Sequence, residues 1–254
     1  MSSNAIVLLD IPCVVEGHVW SPNTWKTRFA LNYKGLPFTV KWVEYPDIAQ
    51  ACKDIGADPT STRADGSPNY TLPAIYDPST GRGIAESALI ARYLDKTYPD
   101  TPRLIPAETD VFHAAFQEAF LHLIQSKMLE IMLCPTAAQL NPPSEAYFRR
   151  TREAGFGKRL EELSPDGTVR EMQWKQLQER FTIMAGWFSM DGNDKLFFMG
   201  NIISHADTSV ASWLIWVRQV LGPDGPEWMA IQTWDGGRWA RYMQYFEKYE
   251  VASA

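Results

Sequence analysis

Strand signals in this chain stop near residue 105, and from Glu108 onward the pattern is helical. Before that point the elements are short and mixed. Ile6 to Ile11 is an apolar run ended by Pro12 and reads as a buried strand. Pro22 to Tyr33 has helical spacing, with Trp25, Phe29 and Tyr33 on one face and Lys34-Gly35 closing it. Phe38 to Tyr45 alternates as a strand does, and Asp47 to Ile55 suits a short helix. Leu72 to Tyr76 and Gly83 to Ala85, joined by the turn Pro78-Ser79-Thr80-Gly81, predict a hairpin. A helix over Ser87 to Tyr98 follows, its buried stripe expected at Leu89, Ile90, Tyr93 and Leu94. This order predicts a mixed sheet with helices on its faces, opening with a right-handed parallel strand–helix–strand unit.

Pro99-Asp100-Thr101-Pro102 and Pro106 punctuate the chain, so residues 101–107 are expected to link a first domain (1–100) to a second (108–254). In the second, Val111 to Leu133 predicts a long helix ended by Pro135. Asn141-Pro142-Pro143 is a break, and Ser144 to Leu163 a charged helix interrupted near Gly155 and Gly157. Val169 to Met190 is expected to be helical between the turns Ser164–Gly167 and Asp191–Asp194. Asp207 to Leu221 is almost wholly apolar and predicts a central buried helix. A last helix is expected over Trp239 to Tyr249.

Several function classes are excluded or disfavoured. The net charge of −6 and the lack of a Lys/Arg run argue against nucleic acid. No apolar run is long enough to span a bilayer, and Met1 to Ala5 lacks the basic start of a secretory leader. Cys13, Cys52 and Cys134 are few, odd in number and widely spaced, which suits a reducing compartment, with the cytosol as the default. There is no G-x-S-x-G, C-x-x-C, G-x-G-x-x-G or Walker sequence, and His18, His113, His122 and His205 fit no zinc signature, so no metal is expected.

Four short motifs carry what chemistry the sequence offers. Ser21-Pro22 places a serine at an N-cap and a proline at the first helical position. Such pairs begin many purely structural helices. A hydroxyl beside a helix N-terminus also favours an anion, and a thiolate is one that needs the help: free thiols titrate at about 8.5. Lowering that by roughly two units corresponds to about 2.7 kcal/mol. Leu72-Pro73 reads either as an edge-strand proline or as a bend that frees the Leu72 N–H and C=O to pair with a peptide ligand. Glu86-Ser87 precedes an apolar-periodic helix. Backbone N–H groups and the Ser87 hydroxyl can receive a carboxylate there, and Glu86 can answer an ammonium, so an α-amino-acid end fits. Ser204-x-x-Asp207 has capping-box spacing and is expected to be structural.

In this order and on this element pattern, Ser21, Pro73, Glu86-Ser87 and Ser204/Asp207 resemble the marks of the cytosolic glutathione transferases, over nearly the whole chain. Ser21-Pro22-Asn23-Thr24-Trp25-Lys26-Thr27-Arg28 and Ala30 to Gly35 are similar to the fungal, serine-type branch related to bacterial lignin β-aryl-etherases. The resemblance implies a thioredoxin-like α/β first domain, an all-α second domain and a homodimer. It implies glutathione as co-substrate, with Ser21 stabilising its thiolate and Asn23 a second candidate donor to the sulfur. Leu72 and Pro73 would hold the cysteinyl backbone, and Glu86 and Ser87 the γ-glutamyl end. Lys41, Lys53 and Arg63 are candidates for the glycyl carboxylate. The expected reaction is attack on hydrophobic aromatic electrophiles held by the helical domain. Glutathione-dependent β-aryl-ether cleavage is the narrower alternative. Binding of aromatic compounds with little turnover is another, suggested by the seven tryptophans after residue 105.

Overall fold

The computed structural model describes residues 4–15 and 17–251; residues 1–3, part of the stretch read for a secretory leader, lie outside the described residues. The apolar run at the N-terminus forms β1 (Ile6–Asp10), and the alternating segment forms β2 (Phe38–Trp42) parallel to it, with Leu8 opposite Val40. Between them lies α1 (Pro22–Lys34), which Gly35 ends in a left-handed conformation. β5 (Ala74–Asp77) runs antiparallel to β1 and pairs in turn with β6 (Arg82–Ala85), giving the order β2-β1-β5-β6. Two further strands, β3 (Ser61–Thr62) and β4 (Pro68–Asn69), make a separate small hairpin. α2 (Ile48–Asp54) and α3 (Ser87–Thr97) complete this half. It is the thioredoxin-like α/β arrangement expected from the sequence, followed among the described residues by helices, with two isolated bridges at Phe197–Gly200 and Met199–Ile202.

Gly83 in β6 shows how closely this half is packed. A Cβ built there would lie 2.1 Å from the Ile55 carbonyl oxygen and 2.9 Å from the Ala57 nitrogen. Both are backbone atoms that cannot rotate aside. Gly83→Ala is therefore expected to destabilise the fold by about 1–3 kcal/mol, read as a lowered urea midpoint; an unchanged midpoint would contradict this packing.

The helical half runs through α4 (Asp110–Phe120), a π-helical turn over Leu121–Gln125, and α5 (Ser126–Ala137). α6 (Pro142–Phe156), the short α7 (Leu160–Leu163) and α8 (Thr168–Trp187) follow. α9 (His205–Leu221) is the buried central helix, and α10 (Pro226–Gln244) lies against it. The Ser204/Asp207 capping box is present at the start of α9. The Asp207 carboxylate accepts from the Ser204 N–H (2.9 Å), the Ser204 hydroxyl (2.7 Å), the Phe198 N–H (3.1 Å) and the Tyr242 hydroxyl (2.9 Å).

Four expectations are corrected. Leu89 is 54% exposed: the buried stripe of α3 is Ser87, Ile90, Ala91, Leu94 and Asp95, which keeps the i, i+3, i+4 spacing one residue further on. Pro135 does not end its helix but sits in the last turn of α5, where its missing N–H costs one bond only. The strand expected from Leu72 begins at Ala74, after a cis Leu72–Pro73 peptide bond. The helical segment expected from Trp239 does begin there, after a non-helical break at Trp234–Gly237 where Asp235 (φ 52°), Gly236 (65°) and Gly237 (78°) are left-handed, but it ends at Gln244 and is preceded by a segment from Pro226 that the sequence reading lacked.

Buried charges lock α1 and the inter-domain segment in place. Asp10, at the end of β1, takes Arg28 (3.0 Å), Thr24 (2.6 Å) and the Ile11 N–H (2.8 Å). Asp95 on α3 takes Lys34 (2.7 Å) and the N–H groups of Leu104 (3.0 Å) and Ile105 (2.8 Å). The His205 N–H donates to the Leu104 carbonyl at 2.7 Å, so the same segment is also tied to α9.

Candidate functional site

The loop entering α1 is held before the helix begins. The Val14 N–H donates to the Gln139 carbonyl (2.9 Å), His18 Nε2 meets the Gln219 carbonyl (3.2 Å), and Trp25 Nε1 donates to the Val19 carbonyl (3.0 Å). His18 is thus an anchor to α9. At the end of this loop Ser21 is only 3% exposed and stands at the N-cap of α1 in extended conformation. Its carbonyl accepts from the Trp25 N–H (3.0 Å) and from Thr24 Oγ1 (3.2 Å), whose hydroxyl also binds buried Asp10. Its hydroxyl does not cap the helix. The side chain is therefore positioned by its backbone and left available to a ligand.

Ser21 lines a cleft of about 490 Å³ together with Asn23, Arg63, Leu72, Tyr45 and Arg152. Four of the residues singled out in the sequence thus meet in one cavity: Ser21, Asn23, Arg63 and Leu72. Among the described residues the Leu72 N–H and C=O make no backbone hydrogen bond, so both can pair with a main chain laid along them. Pro73 is buried behind Leu72, and its carbonyl accepts from the Glu86 N–H at 3.3 Å, which ties the Leu72 segment to the start of α3.

Glu86 and Ser87 lie outside that lining. Glu86 edges a neighbouring hollow of about 350 Å³, with Leu89 and Arg92 beside it. Its backbone is left-handed (φ 76°), and its own carboxylate accepts from the Ala88 and Leu89 N–H groups, each at 3.0 Å. Two donors expected to be available to a ligand carboxylate are thereby engaged. The Ser87 hydroxyl also donates to Glu86 Oε1, at 3.4 Å, so the Ser87 N–H remains, and the Glu86 carboxylate keeps lone pairs for an ammonium.

Of the three basic candidates, Arg63 lines the cleft; Lys53 instead lies over the Tyr70 ring at 5.5 Å. Sequence reasoning missed Tyr45, Tyr147 and Arg152, which reach the cleft because the two halves are clamped beside it. Glu44 accepts from Ser144 and from Asn141 (2.8 Å), and the Tyr45 N–H donates to Ser144 Oγ (2.8 Å). This fixes the start of α6 over the end of β2. Tyr45 and Tyr147 then stack at 5.9 Å, with the Arg152 guanidinium 5.4 Å from the Tyr45 ring. Burial pushes the Tyr45 phenol up, Arg152 opposing, so it is a neutral hydrogen-bond donor at neutral pH. The charged, aromatic composition of α6 was the available signal. The polar hairpin β3–β4, also missed, delivers Arg63 and Asn69.

Comparison with known proteins decides what this architecture is. Residues 20–97 match the family model "Glutathione S-transferase, N-terminal domain", and residues 111–249 match "Glutathione S-transferase, C-terminal domain". The chain belongs to the glutathione S-transferase family. The glutathione S-transferase-like protein ustS of Aspergillus flavus is 30% identical over 241 residues, covering 90% of this chain and 85% of that protein. Among solved structures, the glutathione S-transferase CsGST63524 of Ceriporiopsis subvermispora, in complex with glutathione, is similar at 55% identity. It covers 98% of each chain with a TM-score of 0.95. Glutathione transferase GSTFuA3 from Phanerochaete chrysosporium is similar at 40% identity, over 98% of this chain and 99% of that one, with a TM-score of 0.92.

For a glutathione S-transferase it matters whether the enzyme has an activated thiol of its own. Burial raises all three: Cys13 and Cys134 move up, and Cys52 reaches about 11. All three stay protonated and unreactive at neutral pH. Among the described residues no group of three His, Cys, Asp or Glu could hold a metal ion, and no helix is long and apolar enough to cross a membrane. In the helical half, Phe112, Phe116, Trp187, Phe188 and Phe198 line a mostly apolar pocket of about 410 Å³.

Proposed function

We propose that this glutathione transferase is of the serine type. Glutathione lies along the cleft of the first domain (residues 1–100), and the Ser21 hydroxyl donates to its sulfur, with Asn23 as a second donor. Leu72 and Pro73 carry the cysteinyl backbone. Glu86 and Ser87 receive the γ-glutamyl end. Arg63 and Arg152, the cations in the cleft lining, serve the glycyl carboxylate. The observation that carries this reading is Ser21 itself: buried, lining the cleft and with its hydroxyl not used as a helix cap. The 55%-identical CsGST63524, solved with glutathione, supports the choice of ligand.

The thiolate attacks an electrophilic carbon, a C–S bond forms, and the leaving group departs with the bonding electrons. Holding both partners in one site supplies orientation, and the lowered thiol pKa supplies the nucleophile. The electrophile is a hydrophobic aromatic compound, in keeping with the aromatic pockets of the second domain (residues 108–254). Where the leaving group is a phenolate, the same step is β-aryl-ether cleavage. The protein works as a cytosolic homodimer, with exposed Val111 and Phe112 at the start of α4 available to a second copy.

A glutathione titration against aryl halides, isothiocyanates, peroxides and a fluorogenic aryl ether tests this. Saturable, glutathione-dependent conjugation of aromatic substrates is expected. Tight aromatic binding without glutathione dependence or turnover would instead favour a carrier of aromatic compounds. The groove of about 690 Å³ walled by Trp174 and Trp234 favours that second reading.

A further inference from the structure

We propose that Lys26 is a positioning residue that sets the hydrogen-bonding sense of Asn23, turning the Asn23 amide N–H₂ toward the bound sulfur. The inference rests on the glutathione reading of the cleft and deepens it. Asn23 and Lys26 stand three residues apart on α1, on one face of the helix. Lys26 Nζ donates to Asn23 Oδ1 at 3.1 Å. An ammonium has three donors and no acceptor, so it can face only the oxygen of the amide. The nitrogen end of Asn23 makes no hydrogen bond among the described residues, and Asn23 lines the cleft beside Ser21. A thiolate needs donors, and this arrangement supplies one that cannot turn its oxygen to the sulfur without losing Lys26.

Lys26 is an unusual residue to bury for packing alone. It is 8% exposed, yet the polar side chain it touches is a neutral amide. Lys34, on the same helix and also buried, is paired at 2.7 Å with Asp95. Burying an ammonium without a contacting carboxylate is costly. From the start of α3, Glu86 acts on Lys26 through its charge without forming a contact ion pair. From α9, His205 is pushed down to about 3 by burial and stays neutral. Burial moves the Lys26 ammonium down to about 8, with Glu86 opposing. Above that pH the neutral amine can accept as well as donate, and the amide loses its fixed sense.

The test is a double-mutant cycle on the thiol pKa of enzyme-bound glutathione, read from ultraviolet thiolate absorbance. Lys26→Met keeps the apolar stem, and Asn23→Ala removes the donor. Each is expected to raise the bound thiol pKa by about 0.5–1 unit, leaving roughly 2- to 6-fold less thiolate at pH 6.5. Because one acts through the other, the double variant should match the single variants. Equal shifts by Lys26→Met with and without Asn23 would overturn the proposal, since a direct charge effect does not need the amide; no shift would overturn it also. Lys26→Arg also offers donors only and should keep the wild-type thiol pKa. A rise of about 0.5–1 unit in Lys26→Arg contradicts the proposal even if Lys26→Met fails to fold. Ser21→Ala in the same series reports on the serine reading separately, so either idea can fail alone.

Discussion

Ser21→Ala should lower kcat/KM for conjugation roughly 5- to 50-fold at pH 6.5 while leaving the fold intact. A hydroxyl donor and a helix N-terminus together are asked to lower the thiol pKa by roughly two units, from about 8.5 to about 6.5, so the wild-type thiol is about half ionised at that pH. Removing the hydroxyl takes away the larger, directed part of that help. The sign of the pH dependence follows. The variant's deficit is greatest at low pH and shrinks toward pH 9, where bound glutathione ionises unaided. Replacing a capping serine commonly costs about 1 kcal/mol of stability. The Ser21 hydroxyl does not cap α1, so urea unfolding should shift by less than half of that. An unchanged pH–rate profile would remove Ser21 from the mechanism.

Asp207→Ala should cost about 3–5 kcal/mol, a large share of an ordinary domain's stability. Its carboxylate satisfies two N–H groups and two hydroxyls, and Ser204, Asp207 and Tyr242 are almost completely buried. Alanine leaves these donors without partners at the start of the helix that packs on α1. Burial also raises the Asp207 carboxyl to about 6, against about 3.9 for an unfolded chain. Between those values the folded protein holds a proton that the unfolded chain has released. Stability from this site therefore falls as pH rises from about 4 to about 6. The gap between wild type and Asp207→Ala should be wider at pH 4 than at pH 7 in denaturant titrations. A gap that widens with pH instead would contradict this assignment.

What was readable in the chain was mostly local. Ser204 and Asp207 sit three residues apart, so their capping box is written in the spacing alone. Ser21-Pro22 announces the start of α1 for the same reason, and Glu86-Ser87 the start of α3. The misses are non-local or lack an apolar signature. Ser61–Thr62 and Pro68–Asn69 are polar and exposed, so no alternation betrays the hairpin that brings Arg63 to the cleft. Tyr45 and Arg152 meet through the Glu44–Ser144 contact, about a hundred residues apart in sequence. The first half of α10 was hidden because Trp234–Gly237 interrupts its period, although Gly225-Pro226 carried a helix-start signal. Leu89 was misplaced because two overlapping stripes on α3 are both apolar, and packing against the sheet buried Ala91 beside Ile90 and Leu94 and left Leu89 out.

The central claim is a place for one sulfur atom. A crystal structure of this protein with glutathione bound is expected to put that sulfur within hydrogen-bonding distance of Ser21 Oγ, the tripeptide running past Leu72 with its γ-glutamyl end at Ser87. Glutathione bound with its sulfur contacted by another group, and Ser21 turned into the packing around α1, would contradict the account.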